Sequence, residues 1–381
     1  MALLNKIPKE NSAAEGQKRV KEPLFHIVKR DAPVWYKAWL IRAAAIVLAL
    51  LLCAVVTVLL ARNVNPLDVF KAMISGNFGT VRRIWVMLQS LSILLCVSLA
   101  LTPAFKMRFW NIGGEGQILI GGLATAACMK LLGAKMPPVL LIFVMLAASI
   151  AAGAIWALIP AVFKAQWNTN ETLFTLMMNY VAIQIVSYFT MVWEAHKGSA
   201  NIGIINSKTH YGWLPQIGNE YLLSIIVVLA LTVAMYIYLR YSKHGYEISV
   251  VGESQNTARY IGINVKKVII RTMILSGALC GIAGFLLVGS IDHTITPTSS
   301  NNRGFTAIMV SWLAKFNPLM MLLTSFLIVF LECGAKEITT KFSLDKSFSD
   351  ILTGIILFFI IGCEFFINYQ IKFRHSQKEV A

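Results

Sequence analysis

Apolar residues along this chain fall in long unbroken runs, neither alternating nor confined to one helical face. Ten runs stand out, at about residues 41–61, 84–102, 117–133, 138–163, 172–193, 221–239, 269–290, 304–315, 318–335 and 349–369. About twenty apolar residues in a helix cross a hydrocarbon core roughly 30 Å thick. The pattern therefore predicts an all-α integral membrane protein with about ten transmembrane helices. The eighth run is short, and Pro103, Pro160 and Pro318 stand where helices should end or bend.

The polar breaks organise these runs. The longest interior hydrophilic stretch, 240–268, separates one group of runs from a final four, and each group holds a break rich in Gly and Asn. The first is Trp110-Asn111-Ile112-Gly113-Gly114-Glu115-Gly116-Gln117; the second is Ser300-Asn301-Asn302-Arg303-Gly304-Phe305. Paired interruptions in two halves point to a transporter built from two pseudo-repeated groups with interrupted helices. The expected division is a basic leader (1–40), a transmembrane domain (41–369) and a short tail (370–381). The early leader reads as disordered, and its end, Pro33-Val34-Trp35-Tyr36-Lys37-Ala38-Trp39, suits the headgroup level.

Composition removes the soluble alternatives. Charged residues make up 14% of the chain and hydrophobic ones 57%, with a mean hydropathy of +0.68, whereas soluble domains carry about a quarter charged residues. A net charge of +16 raises the question of nucleic acid, but the charges sit between the runs and at the two ends. With ten spans and the N-terminus inside, the inner segments hold 22 of the 34 Lys and Arg residues. That bias places both termini in the cytoplasm and argues against a nucleic-acid partner. No cleavable signal peptide is visible, so the first run is expected to act as an uncleaved anchor. The six cysteines all lie in apolar runs without a CxxC pair, as packing residues would, so neither a disulfide framework nor a metal site is expected.

Several polar groups lie within or beside the runs. Asn111, Glu115 and Gln117 surround three glycines that open into a helix start with free N–H groups. This is either a site for a neutral solute rich in hydroxyls or a tight cytoplasmic turn. Asn170-Glu171-Thr172 resembles a helix start, and Asn179, within the apolar run, is either a solute contact or interhelical glue. Phe305 offers a ring to stack on a planar base or simply to pack. Glu332 and Glu364 are acids within spans, which invites a hypothesis such as proton coupling; Glu364, near a helix end, reads as structural. In 240–268, Ser254 is expected to cap a short helix, Thr257–Ile261, that Gly262 ends. Such a helix suits docking on a partner, an ordinary loop being the alternative. The chain holds no GxxxxGK[ST] loop, no HExxH and no spacing that supports a catalytic dyad, so no catalytic residues and no cofactor are expected.

The segment HGYEISVVGESQNTARYIGIN (244–264) resembles the ATPase-coupling region of the ABC importer permeases for ribose, branched-chain amino acids and nucleosides. Within that group, WNIGGEGQ, NETLFTLMMNYVA, GFTAIMVSWLAKFNP and GIILFFIIGCEFF resemble the nucleoside branch, and the likeness runs in order from about residue 41 to 369. The family more often has Ala in place of Gly114 and of Thr257. The long basic leader is similar to that of the larger of two paired permeases. The resemblance implies alternating access without covalent chemistry, in a bacterial plasma membrane and amid its lipids. It also implies three partners: a second permease subunit, a cytoplasmic ABC ATPase and an extracytoplasmic nucleoside-binding lipoprotein. Carried onto matching positions, it puts Asn111, Glu115, Gln117, Asn179 and Phe305 on the substrate path. Gly252, Glu253, Ala258, Arg259 and Gly262 fall at the ATPase contact. A sugar or branched-chain amino acid permease, or an ion-coupled secondary transporter needing no ATPase, remain the alternatives.

Overall fold

The computed structural model describes residues 25–29, 35–60, 65–199, 201–216 and 218–373. Most of the basic leader, including the early part expected to be disordered, and the last residues of the tail lie outside the described residues. Helices dominate: α1 (Trp35–Leu60), α2 (Pro66–Phe78), α3 (Val81–Lys106), α4 (Gly114–Leu132), α5 (Pro138–Trp167), α6 (Glu171–Val192) and α7 (Leu222–Tyr241) lead into two short ones, α8 (Lys243–Glu253) and α9 (Gln255–Tyr260). Then come α10 (Val265–Leu287), which ends in a π-helical turn (Val288–Asp292), α11 (Arg303–Leu313), α12 (Pro318–Lys341) and α13 (Lys346–Asn368). Strands β1 (Phe25–Lys29) and β2 (Tyr369–Phe373) pair antiparallel and bring the segment before α1 beside the one after α13.

All ten apolar runs are helical, and eight of the described helices are long and apolar enough to cross a membrane. The other two are the interrupted ones: α4 starts on polar residues, and α11 is only 11 residues long. Three details differ from the sequence expectation. Helices α2 and α8 fall in segments read as connections, α1 begins at Trp35 inside the segment assigned to the leader, and neither Pro103 nor Pro160 ends its helix. Prolines do open helices where no N–H is missed, at Pro66, Pro138 and Pro318.

Two groups of four helices repeat the same plan. Helices α3 and α10 pack together at the centre; α4 lies on α10 as α11 lies on α3, and α5 lies on α10 as α12 lies on α3. The central pair run in opposite directions. Helix α8 marks the end where α3 finishes, since Gly252 abuts the Lys106 carbonyl. It also marks the end where α10 begins, since the His244 ring lies between Tyr238 Oη and Thr272 Oγ1. Burial holds His244 below the usual histidine range, which favours the neutral ring in that bridge. Helices α3 and α10 are the most enclosed of the membrane-length helices.

Small residues let this centre close. A Cβ on Gly153 would strike the Gly277 carbonyl, one on Gly281 the Ser149 carbonyl, and one on Gly284 the Ile118 carbonyl. Helices α4, α5 and α10 thus cross backbone to backbone, the kind of packing that holds helices together in lipid.

Candidate functional site

The two Gly/Asn interruptions meet inside the bundle. Helix α4 begins in a buried place, where its first N–H groups need partners that water cannot supply. Asn111 Oδ1 accepts from the Gly113 N–H at 3.0 Å and from Gln117 Nε2 at 3.2 Å, while Asn111 Nδ2 donates to Ser276 Oγ of α10 at 3.1 Å. From α6, Asn179 Oδ1 accepts from the Gly116 N–H at 2.8 Å, and its Nδ2 donates to the Ile112 carbonyl at 2.9 Å. Thr175 Oγ1 takes the Ile112 N–H at 3.2 Å. Side chains from the preceding loop and from α6 therefore bind one helix start, and Ser276 of α10 holds Asn111 in place.

Glu115 connects this start to the other. It lies in the first turn of α4, and its side chain reaches the first turn of α11. There it accepts from the Ser300 hydroxyl, from the Asn302 N–H at 3.1 Å and from the Gly304 N–H at 2.7 Å. Helix N-termini carry partial positive charge, so one carboxyl group between two of them offsets both. Gly304 permits the approach, because a Cβ there would collide with the Glu115 backbone.

Asn111, Glu115, Gln117 and Asn179 come together, and they are only 0%, 5%, 1% and 2% exposed. Their polar atoms bind the two helix starts rather than facing an opening, and Phe305 on α11 is the one member of the five that is partly exposed. Sequence reading did not single out Ser276 or Thr175, whose only signal was a small hydroxyl residue inside an apolar run, nor Ser300, which stood at the edge of the second Gly/Asn break.

Glu115→Ala should strand the Ser300 hydroxyl and the Gly304 N–H in a buried place, at about 1–3 kcal/mol for each unsatisfied group, and take the acceptor from the part-buried Asn302 N–H. The expected result is a thermal midpoint many degrees lower for the detergent-purified protein. Glu115→Gln, which keeps an acceptor oxygen, should lose clearly less.

The pseudo-repeat breaks at its last pair. Helix α6 packs closely on α4, whereas α13 leans towards α1 and scarcely touches α11. The gap is a cavity of about 560 Å³. Trp110 and Trp312, with ring centroids 5.3 Å apart, line it beside Phe316, while Lys315, Glu364 and Asn368 give it a polar edge. Glu364 is held by Arg42 of α1 at 2.5 Å, so this intramembrane acid has a structural partner.

At the other candidate region, Ser254 Oγ accepts from the Thr257 N–H at 3.2 Å and starts α9, and Gly262, at φ +84°, ends it. The expected capped helix is therefore present at 255–260. Gly252 and Ala258 are buried and seat α8 and α9 on the bundle; Glu253, Arg259 and Gly262 are exposed. Tyr260 at 92% and Ile261 at 55% project further still and were not singled out from sequence.

A bundle of membrane-length helices in two opposed groups, with paired broken helices at its middle, defines a multi-pass membrane transport component rather than a catalyst. The chain belongs to the family described as branched-chain amino acid transport system / permease component, whose pattern matches residues 84–361. It is similar to the guanosine ABC transporter permease protein NupP of Bacillus subtilis, 28% identical over 88% of this chain and 94% of that protein. The nucleoside ABC transporter permease protein NupB of Lactococcus lactis is 26% identical over 84% of this chain and 90% of its own length. The glucose ABC transporter permease protein TsgB13 of Haloferax volcanii is 26% identical over 90% and 92%.

Proposed function

We propose that this chain is one of two membrane subunits of an ATP-binding cassette importer for nucleosides. The observation that carries the reading is the near full-length similarity to permeases named for guanosine and for nucleosides. The ATPase must be a separate chain, because this one has no phosphate-cradling loop. Helix α9, with Arg259, Tyr260 and Ile261 exposed, is the surface offered to it. That assignment puts the α9 end in the cytoplasm, together with the β1–β2 pair, in agreement with the basic bias of the inner segments.

A second permease would complete the path, and an extracytoplasmic binding protein would deliver the solute. A similarity to a guanosine permease NupQ, 26% identical over 55% of this chain, supports a pair of related permeases. Asn111, Glu115, Gln117 and Asn179 hold the broken helices that wall the path, and Phe305 meets the solute. Alternating access then requires the two opposed groups to rock about the Glu115 junction.

The test is uptake of radiolabelled guanosine, adenosine, uridine, ribose and glucose by cells with and without this gene. Loss of nucleoside uptake alone is the expected result. Loss confined to a sugar moves the chain to the branch suggested by the Haloferax relative. Unchanged uptake of all five removes support for the substrate class.

A further inference from the structure

Arg303 opens α11 inside the membrane. Its Nη2 reaches Ser90 Oγ at 3.5 Å, and Ser90 lies nine positions into α3, about 13 Å below the outer end of that helix. No carboxylate among the described residues forms a salt bridge with Arg303; the partly buried carboxyl of Asp292 feels its charge from beyond ion-pair contact. An arginine at such depth is costly unless it meets a counter-charge or faces a water-filled cavity.

Its neighbours carry the same signature. Asn301 is exposed, and its Nδ2 donates to Glu332 Oε1 at 3.1 Å; Lys336 Nζ donates to the same oxygen at 2.8 Å. Both bonds fall on Oε1, so Oε2 keeps its acceptor sites open to a ligand. Glu332 lies nine positions before the outer end of α12, about the same depth as Ser90. The side chains of Glu332 and Lys336 are 20% and 53% exposed. Two helices and a re-entrant segment thus bring an arginine, an amide, an acid and a lysine to one uncovered patch a third of the way down. Charges placed there without lipid-facing cover belong to an aqueous passage.

We propose that Arg303, Asn301 and Glu332 form the outer solute station of the path and grip vicinal hydroxyls of an uncharged solute, such as the pentose of a nucleoside. The guanidinium offers a rigid fork of donors, and the free carboxyl oxygen of Glu332 offers an acceptor, the pair that a diol needs. Lys336 and Asn301 fix the acid so that this oxygen faces the passage. The substrate class rests on the nucleoside reading; the position of the station does not.

The experiment uses the complete transporter in sealed vesicles with the solute that the wild type takes up most. Arg303→Gln and Glu332→Gln should each raise KM tenfold or more with maximal rate within about threefold. Arg303→Lys should fall between Arg303→Gln and the wild type. Asn301→Cys should react with a charged, impermeant thiol reagent added outside, and the transported solute should slow that reaction. If the wild type carries a non-nucleoside instead, the nucleoside reading fails, and the same KM comparison with that solute still judges the station. An unchanged KM in Arg303→Gln overturns the proposal. So does an Asn301→Cys thiol sealed from the reagent, or loss of the partner permease from the Arg303→Gln complex, which would make Arg303 an inter-subunit pairing residue.

Discussion

Gly281→Leu is expected to leave almost no folded protein, seen as loss of the monodisperse peak in size-exclusion chromatography of a detergent extract. Helices α5 and α10 share the most extensive interface in the molecule, and Gly153, Gly277 and Gly281 sit where their backbones touch. A Cβ at Gly281 already runs into the Ser149 carbonyl, so a leucine forces the helices apart. Overpacking a well-filled core costs about 1–3 kcal/mol and sometimes more. In lipid the helices gain no hydrophobic attraction to offset the separation, because close contact is itself what holds them. Gly281→Ala should be intermediate, since it adds the clashing atom without the bulk. Gly354→Leu on α13 is the control: nothing lies within 4 Å of a Cβ there, and the variant should behave as the parent protein. Equal behaviour of Gly281→Leu and Gly354→Leu would refute the backbone contact between α5 and α10.

The same contrast explains what could be read from sequence. Length and hydropathy sufficed for the membrane helices because a bilayer-spanning helix satisfies its own backbone, whatever packs around it. Caps were legible for the same local reason: Asn170 and Ser254 each bond an N–H three residues on. Helices α2 and α8 were not legible, because each is too short to cross a bilayer and owes its place to a partner. Helix α2 rests on α12, with Asn77 Nδ2 donating to the Phe330 carbonyl at 2.9 Å. Helix α8 rests on Lys106 and Thr272. The Gly/Asn breaks announced themselves as special, but two readings were open for each polar residue. What decides between them is distance across the fold: Glu115 meets Gly304 across 189 positions, and Arg42 meets Glu364 across 322. No local pattern records those partners. For Asn179 the structure places both ends of the amide on backbone groups around the α4 start, which is the work of interhelical glue.

The double variant Arg259→Glu, Tyr260→Ala is expected to lower transport by at least a hundredfold while the purified membrane subunit keeps its thermal midpoint. Its α9 needs no help from those side chains to form: Ser254 caps it, Gly262 at φ +84° ends it, and Ala258, fully buried, seats it on the bundle. Tyr260, 92% exposed, has no fold role to lose. A large aromatic ring and an arginine projecting side by side from a rigid, seated turn are the residue types that anchor protein interfaces. A transporter whose energy comes from another chain must pass force through such a contact, so reversing its charge and removing its ring should uncouple the two proteins without disturbing either. Ala258→Leu provides the opposite signature. It should unseat α9 from beneath, lower the thermal midpoint and reduce transport together. Retention of ATPase in pull-down by the double variant, with normal uptake, would exclude α9 as the coupling surface and shift the search to the exposed part of α8 around Tyr246 and Glu253.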